Sequence, residues 1–479
     1  MRTARFRLDR LTAPKVALLR AVAADGEPAR DAVLVGGTVR DAWLRRLDAD
    51  LDIAVPAGAL ALGRRLADRL GGAFVALDVA RGAARVVVGS ARIDITDFRA
   101  PTLEGDLAAR DYTVNALAVP VRPLLRSGWA PVVDPTGGLV DLAARRLRPP
   151  DRRVLAEDPV RALRGARLEA TLGFRLTPGG VRAIRAVAPS LANASAERVR
   201  DELLAILALP NAAPVVRRLD TLGLLAVALP EVEPMRATRQ PAPHRFDVLE
   251  HSLRALAATD RLLARLPDLE PFGEELRAHV AEELGGGIER RRVLKLVALL
   301  HDVAKPETAR RVAGRLRFFE HDLLGAARVR AIGERLRLPE RVIAVASDLV
   351  RHHLRPMHLG ASGVTSRARY RFFRDLGPNA RDLLLLALAD AAAVRGESPL
   401  GVWRRATLIR DLLAGFREQQ TAALAAPLVR GGDVMERYGL RPGPDVGRLL
   451  ERAREAQALG LVTTREDALA YLDSCVGAS

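Results

Sequence analysis

The chain contains a single cysteine, Cys475, in 479 residues. An internal disulfide framework and a cysteine-based zinc site are therefore excluded, and any metal must sit on histidines and carboxylates. Lysine is almost as scarce: Lys15, Lys295 and Lys305 are the only three, so a formal charge of +17 rests almost wholly on arginine. Aromatic residues make up 4%, too few for the extended base-stacking surfaces of single-strand-binding proteins. Long apolar runs are missing as well. The longest, from Leu383 toward Val394, is broken by Asp390 and falls short of a membrane span. The arginine-rich N-terminus lacks the apolar core of a signal peptide, so a cytoplasmic protein with no membrane partner is expected.

What is present suggests several domains and a polyanionic partner. A chain of this length exceeds one ordinary core, which makes two to four domains the expectation. Its positive charge suits phosphate contacts with RNA, although arginine and alanine together also resemble the imprint of GC-rich codons. From about residue 30 to 150, strand-like runs (Ala32 to Val35, Leu51 to Val55, Arg85 to Val88, Arg92 to Thr96) alternate with helical patterns (Val39 to Arg46, Leu60 to Leu70). An α/β head over 1–150 is expected, followed by an all-α neck over 151–230, where apolar spacing becomes helical. The proline-rich stretch Pro230 to Pro243 reads as a linker. Residues 240–396 form a further helical domain that holds every histidine, and 405–479 a helical C-terminal domain.

The densest signal is Leu34-Val-Gly-Gly-Thr-Val-Arg40-Asp41, followed nine residues later by Asp50-Leu-Asp52-Ile-Ala-Val. On a strand, side chains alternate, so Asp50 and Asp52 share a face about 7 Å apart. That is within reach of jointly held Mg2+ ions, which would activate a ribose hydroxyl and stabilise a departing pyrophosphate. Gly36 and Gly37 would let a triphosphate approach the backbone closely. Each motif alone is ordinary: an isolated D-x-D is common on exposed strands and a Gly-Gly is a turn.

Two further stretches add polar groups. In Arg110-Asp111-Tyr-Thr-Val-Asn115, the plain structural account makes Asp111 the cap of a helix start. In Glu157-Asp158-Pro-Val-Arg161-Ala-Leu-Arg164, Pro159 suits a first helical turn, and Asp158 and Arg161 then share a face. Cytosine and adenine both present an amino donor beside a ring nitrogen acceptor, whereas uracil and guanine present a carbonyl beside an N–H. A carboxylate and a guanidinium would therefore admit C and A and leave unpaired groups facing U or G. An ordinary i,i+3 surface ion pair is the alternative.

The ordered set Gly-Gly-x-Val-Arg-Asp, Asp-x-Asp-Ile, Arg-Asp-x-Thr-x-Asn-Ala, Asp134-Pro-Thr-Gly-Gly138 with Asp141, Glu-Asp-Pro-x-Arg and Ser195-Ala-Glu197-Arg198 resembles the class II tRNA nucleotidyltransferases, the bacterial CCA-adding enzyme and poly(A) polymerase family. The resemblance covers residues 30 to about 205. It implies a head of the DNA polymerase β superfamily, with Asp50 and Asp52 as catalytic ligands of Mg2+. It also implies Gly36, Gly37, Arg40, Arg110, Asp111 and Asn115 near the triphosphate and ribose, and Asp158, Arg161 and Arg164 at the base. Template-free addition of C and A from CTP and ATP to a tRNA 3′ end follows. The chain has Ala109-Arg110-Asp111 where relatives carry Arg-Arg-Asp. The gap between Phe98-Arg99 and Asp111 is also short where complete CCA-adding relatives have a loop that helps switch to the terminal A. That shortening resembles enzymes that add only CC or work with a separate A-adding partner.

His251, His301-Asp302 and Asp390, with His321 and His353 as further ligands if two metals bind, form a second set. Imidazoles and carboxylates suit Mn2+, Ni2+ or Mg2+. The spacing resembles the HD phosphohydrolase domain, whose relatives hydrolyse phosphomonoesters or 2′,3′-cyclic phosphodiesters. The C-terminal Gly-Leu-Arg-Pro-Gly-Pro-x-Val-Gly resembles the tail of such relatives, a tRNA-backbone contact, or is simply an interhelical turn. Two other functions fit the same residues: a poly(A) polymerase, and an HD phosphohydrolase whose head only binds RNA. The sequence leaves homo-oligomer formation open.

Overall fold

Apolar alternation near the N-terminus gathers into one six-stranded mixed sheet. The computed structural model describes residues 4–46, 50–362, 364–423 and 426–476, which divide into two units: residues up to Glu202 with Arg218–Ala228, and Leu203–Arg217 with residues from Leu229 onward.

In the first unit the sheet strands are β1 (Val33–Val35), β2 (Leu51–Val55), β3 (Ala73–Asp78), β4 (Ala83–Val88), β5 (Ala91–Asp97) and β6 (Ala118–Pro120). Their order is β3-β4-β5-β2-β1-β6. Strands β2 and β5 run parallel at the centre and every other pairing is antiparallel. Leu51, Ile53, Ile93 and Ile95 are buried, so the two central strands are anchored by their aliphatic positions while the residues between them face the other side. Helix α1 (Gly36–Trp43) leaves β1 without an intervening loop, and α2 (Ala59–Leu70) follows β2. Four of the six strands coincide with the expected runs. The edge strand β3 does not, because its residues are mostly exposed and lack an apolar alternation.

Strand β5 passes to α3 (Leu103–Ala108) through residues 98–102 alone. This connector is pinned at both ends: the Phe98 amide donates to the Val55 carbonyl at 2.8 Å, and the Arg99 amide donates to Asp106 at 3.1 Å. The Thr102 hydroxyl caps α3 by accepting from Gly105. Beyond the head, α4 (Val160–Leu172), Pro178–Val187 and Ala196–Leu207 supply the helical neck. A short parallel pairing of Arg146–Leu147 with Arg175–Leu176 also ties head to neck.

The second unit is helical apart from one hairpin. Helices α5 (Val248–Leu263) and α6 (Arg290–Leu300) precede an antiparallel pair, β7 (Ala309–Val312) and β8 (Arg315–Phe318). Helices α7 (His321–Arg335), α8 (Glu340–His352) and α9 (Asn379–Arg395) follow. Helix α5 packs on both α6 and α9, and α8 packs on α6, α7 and α9. Lys295 and Asp260 form a buried ion pair at 2.8 Å that links α6 to α5. The stretch from Pro230 is not an open linker: Pro230–Ala237 is a 3-10 helix that buries Val232 and Met235 completely. The last helices enclose a separate small core of Val434, Val446, Ala456, Ala468 and Leu472.

One close approach in the first unit sets a firm requirement. Tyr112 is fully buried and its hydroxyl donates to the Arg161 carbonyl at 3.0 Å. A Cβ at Gly165 would fall 1.9 Å from that hydroxyl. Gly165→Ala should therefore cost about 1–3 kcal/mol by overpacking. Adding Tyr112→Phe should return part of the loss, a coupling that urea unfolding of the two single variants and the double variant measures.

Candidate functional site

Strand β1 ends at Val35 and α1 begins at Gly36, so the first amides of the helix point at whatever lies beyond the strand. Here it is Asp52: the Thr38 amide donates to Asp52 Oδ2 at 3.2 Å, and the Asp52 amide donates back to the Thr38 hydroxyl at 2.7 Å. Gly36 has φ +62°, and a Cβ there would stand 3.3 Å from both Asp52 Oδ2 and Arg110 Nη1. A Cβ at Gly37 would be 3.2 Å from the same carboxylate. Backbone flexibility and close approach are both needed at this turn.

Across the parallel pairing, Asp52 stands opposite Asp94. Burial raises the Asp52 carboxyl above its ordinary pKa, and Asp94 adds to the rise against the Thr38 amide, Arg110 and Arg40. Asp94 is gripped by both ends of the Arg85 guanidinium, at 2.7 and 2.8 Å. Asp50 and Asp52 both act on that same guanidinium. A carboxylate held in a buried position beside a second carboxylate is the electrostatic setting that a divalent cation relieves.

Asp52 lines a cleft of about 1010 Å³ with Gly36, Gly37, Asp94, Arg99, Arg110, Asp111, Asn115, Asp158, Arg161, Arg164 and Arg198. Nearly every head and neck residue marked by the motifs thus meets in one cavity. Asp50 and Arg40 are the exceptions. Asp50 is not part of that lining, and its carbonyl accepts from the Thr38 hydroxyl at 3.4 Å; Arg40 pairs with Asp41 at 2.7 Å and donates to Asn115 Oδ1. Its place is behind Asn115, whose Nδ2 donates to Asp111 at 3.0 Å. Asp111 does not cap a regular helix. It precedes the 3-10 turn Thr113–Asn115 and accepts from the Tyr112 amide at 2.8 Å. Burial alone would raise its carboxyl, but Arg164, Asn115 and that amide hold it at about 2.

Asp158 and Arg161 are disposed differently from a surface ion pair. Asp158 is buried and its Oδ2 takes Arg198 at 2.6 Å and Arg161 at 3.4 Å, while its Oδ1 is buried without a partner. Arg161 spends Nη1 on the Ala109 and Val154 carbonyls, at 3.0 and 3.1 Å. Arg164 is fixed between Asp111 and Glu202, at 3.3 and 2.9 Å. Three lining residues are not marked as site residues by the motifs. Asp94 carries a legible signal, since Ile93-Asp-Ile95 repeats the apolar-Asp-apolar pattern of Leu51-Asp-Ile53. Arg99 has none, and burial with repulsion from Arg110 lowers its pKa to about 10. Arg198 lies in the Ser195-Ala-Glu197-Arg198 stretch of the family pattern, which gives it no site role; its contact with Asp158 places it at the cleft.

The second unit assembles its own cluster. His251, His301 and Asp390 converge as one group, and Asp302, His321 and His353 as another. Asp302 joins them: its Oδ2 lies 3.3 Å from His301 Nε2 and 3.7 Å from His251 Nε2, and its Oδ1 lies 3.5 and 3.7 Å from Nε2 of His321 and His353. His251 Nε2 is 3.0 Å from Asp390. His301, His321 and His353 each donate Nδ1–H to the carbonyl three residues earlier, on Ala298, Phe318 and Val350, at 3.0, 2.7 and 2.7 Å. A carbonyl can only accept, so in its neutral form each of the three rings keeps an Nε2 lone pair, the electrons that a cation would take. Burial opposes charge on Asp302, but His301 and Lys305 hold its carboxyl well below its ordinary pKa. The donor set of imidazoles and carboxylates is one that would suit divalent cations.

Models of known families match along the chain in the same order. A poly A polymerase head domain matches residues 32–148, a probable RNA and SrmB-binding site of polymerase A matches 173–236, and an HD domain matches 248–393. The A-adding tRNA nucleotidyltransferase of Deinococcus radiodurans is 40% identical over 92% of this chain and 94% of that protein. The CC-adding tRNA nucleotidyltransferase of Thermus thermophilus is 38% identical over 92% and 93%. In fold, the chain is similar to a CCA-adding enzyme solved with ATP, at a TM-score of 0.64 and 19% identity, covering 100% of this chain and 98% of that one. The chain is thus an enzyme of the tRNA nucleotidyltransferase family, built from a poly(A) polymerase-type head, an RNA-binding neck and an HD domain.

Proposed function

We propose that the head cleft binds CTP and extends a tRNA 3′ end by C, ending at CC, and that the histidine cluster is a phosphohydrolase centre. The observation that carries the transfer reading is the meeting of the Gly36-Gly37 turn, Asp52 and Asp158 in one cleft of nucleotide size. In this reading Asp50 and Asp52 hold Mg2+, which lowers the pKa of the terminal ribose hydroxyl and offsets charge on the leaving pyrophosphate. Arg110 and Arg99 face the triphosphate as fixed cations. Asn115, oriented by Arg40 and Asp111, meets the ribose. The Asp158 carboxylate accepts from the amino group of the base, and Arg161 supplies the donor for its ring nitrogen. A uracil would turn a carbonyl toward a buried carboxylate, leaving both acceptors unsatisfied.

The restriction to C is supported by the connector of residues 98–102. It is only five residues long and is held by hydrogen bonds at Phe98, Arg99 and Thr102, which leaves little chain to reshape the pocket for a larger purine once CC is complete. A-addition is the second reading, favoured by the 40% identity to the Deinococcus protein.

In the second unit, His251, His301, Asp302, Asp390, His321 and His353 would hold Mn2+, Ni2+ or Mg2+, whose chemistry there is activation of water. Lys305, 2.7 Å from Asp302, keeps the bridging carboxylate ionised before any metal enters.

Two outcomes test this division. Asp52→Ala should lower CMP incorporation at least about a thousandfold in the presence of Mg2+ while leaving hydrolysis of a small phosphodiester intact, and Asp302→Ala should do the reverse. Parallel assays on the full chain read both. Asp158→Asn should lower CTP use about 10–100-fold, the size of one charge-assisted hydrogen bond, and narrow the preference over UTP. Unchanged CTP-to-UTP selectivity would remove Asp158 from base recognition.

A further inference from the structure

The hairpin β7–β8 carries four arginines, Arg310, Arg311, Arg315 and Arg317, and no carboxylate between Ala309 and Phe319. Its two-residue turn, Ala313-Gly314, has positive φ at both positions, as a tight twisted hairpin requires. The register sets Arg310 opposite Arg317 and Val312 opposite Arg315. One face therefore presents Arg310, Arg315 and Arg317 around Val312. Strand β7 is exposed throughout, and Arg315 and Arg317 are the exposed positions of β8. Like charges directly opposite each other destabilise a strand pair, and among the described residues none of these four arginines has a carboxylate partner. Protecting an edge strand needs a charge or two, not a cross-strand pair of cations.

The base of the hairpin is built into the histidine cluster. The Phe318 carbonyl accepts from His321 Nδ1 at 2.7 Å, and the Phe318 ring lies 5.5 Å from Lys305 Nζ. Lys305 in turn is 2.7 Å from Asp302. The next residue, Phe319, turns outward with 56% exposure. A row of unpaired guanidiniums thus leads to an exposed aromatic face adjacent to a phosphohydrolase centre. Arginines that track a backbone, followed by a ring on which a base stacks, are how a protein holds single-stranded RNA.

We propose that this hairpin docks the single-stranded end of an RNA, with phosphates along the Arg310–Arg317 face and a base on Phe319. The phosphoester acted on by the Asp302 centre then belongs to an RNA end and not to a free nucleotide. The inference rests on the phosphohydrolase reading of that centre and names its substrate class.

The test uses the full chain with Mn2+ and two substrates, a 12-nucleotide RNA ending in a 2′,3′-cyclic phosphate and adenosine 2′,3′-cyclic monophosphate. In either, the oxygen of water bonds to phosphorus, one ribose oxygen leaves, and that oxygen takes a proton from the water. For the double variant R310Q/R317Q, KM for the RNA should rise about tenfold or more, with kcat and mononucleotide hydrolysis unchanged. The slope of log KM against log salt should shrink by about 1.4, or 0.7 per lost phosphate contact. Unchanged mononucleotide hydrolysis also shows that the variant is folded. An unchanged KM for the RNA would overturn the proposal and leave the arginines as edge guards. If the unaltered protein hydrolyses neither substrate, the phosphohydrolase reading fails, and docking is judged by crosslinking. With Cys475→Ser removing the native thiol, Val312→Cys bearing a benzophenone should crosslink the RNA, less so with R310Q/R317Q. No crosslink would overturn the docking itself.

Discussion

The reciprocal pair of hydrogen bonds between Thr38 and Asp52 is the contact on which the head is organised. It fixes the first turn of α1 against the start of β2, and so places a helix N-terminus, a glycine turn and a carboxylate at one point. Because the Asp52 carboxylate is half-buried and stands opposite Asp94, its ionised form depends on neighbouring cations. Arg110, Arg85 and the Thr38 amide supply part of the compensation. The rest of the cleft follows the same logic: Arg164 holds Asp111, Arg198 holds Asp158, and Arg40 holds Asn115. Asp111, Asn115 and Asp158 are thus each oriented by an arginine, a form of preorganisation that limits the rearrangement a site needs in order to act.

The scarcity of lysine acquires a meaning in this light. A guanidinium can grip a carboxylate with two parallel hydrogen bonds, as Arg85 grips Asp94 and Arg217 grips Glu250. The two lysines of the second unit stand where a compact charge is wanted instead. Lys295 is buried between Asp260 and the Leu209 carbonyl, and Lys305 between Asp302 and Gln240. Arginine's fork and lysine's point charge are not interchangeable. The high net charge is therefore partly absorbed by structure, and the hairpin arginines are notable because they lack such carboxylate partners.

Much of this was legible in the sequence, for reasons that differ between regions. The central strands are readable because their buried face demands aliphatic residues at alternate positions, and Asp52 stands visibly between them. Asp94 interrupts β5 in the same way, but its partnership with Asp52 depends on a parallel register that no local pattern encodes. Gly36 and Gly37 were legible as a turn; the 3.3 Å approach of Asp52 and Arg110 that requires glycine was not. Asp111 read as a helix cap from local spacing, whereas its oxygens serve Tyr112, Asn115 and Arg164, the last from a distant helix. In the second unit the six side chains that converge in the histidine cluster were readable from residue type and spacing. The preset tautomers were not, since they depend on main-chain carbonyls that every residue possesses. The hairpin itself went unread, because four arginines among eleven residues carry no apolar alternation.

The most direct measurement is incorporation of each labelled NTP, with Mg2+, onto three tRNA transcripts that end before CCA, after C and after CC. CTP should be used on the first two, growth should stop at CC, and ATP should not be used on the third. ATP use confined to the CC-ended transcript would contradict the cytidine assignment, and no incorporation on any transcript would contradict the reading of the head as a catalytic site.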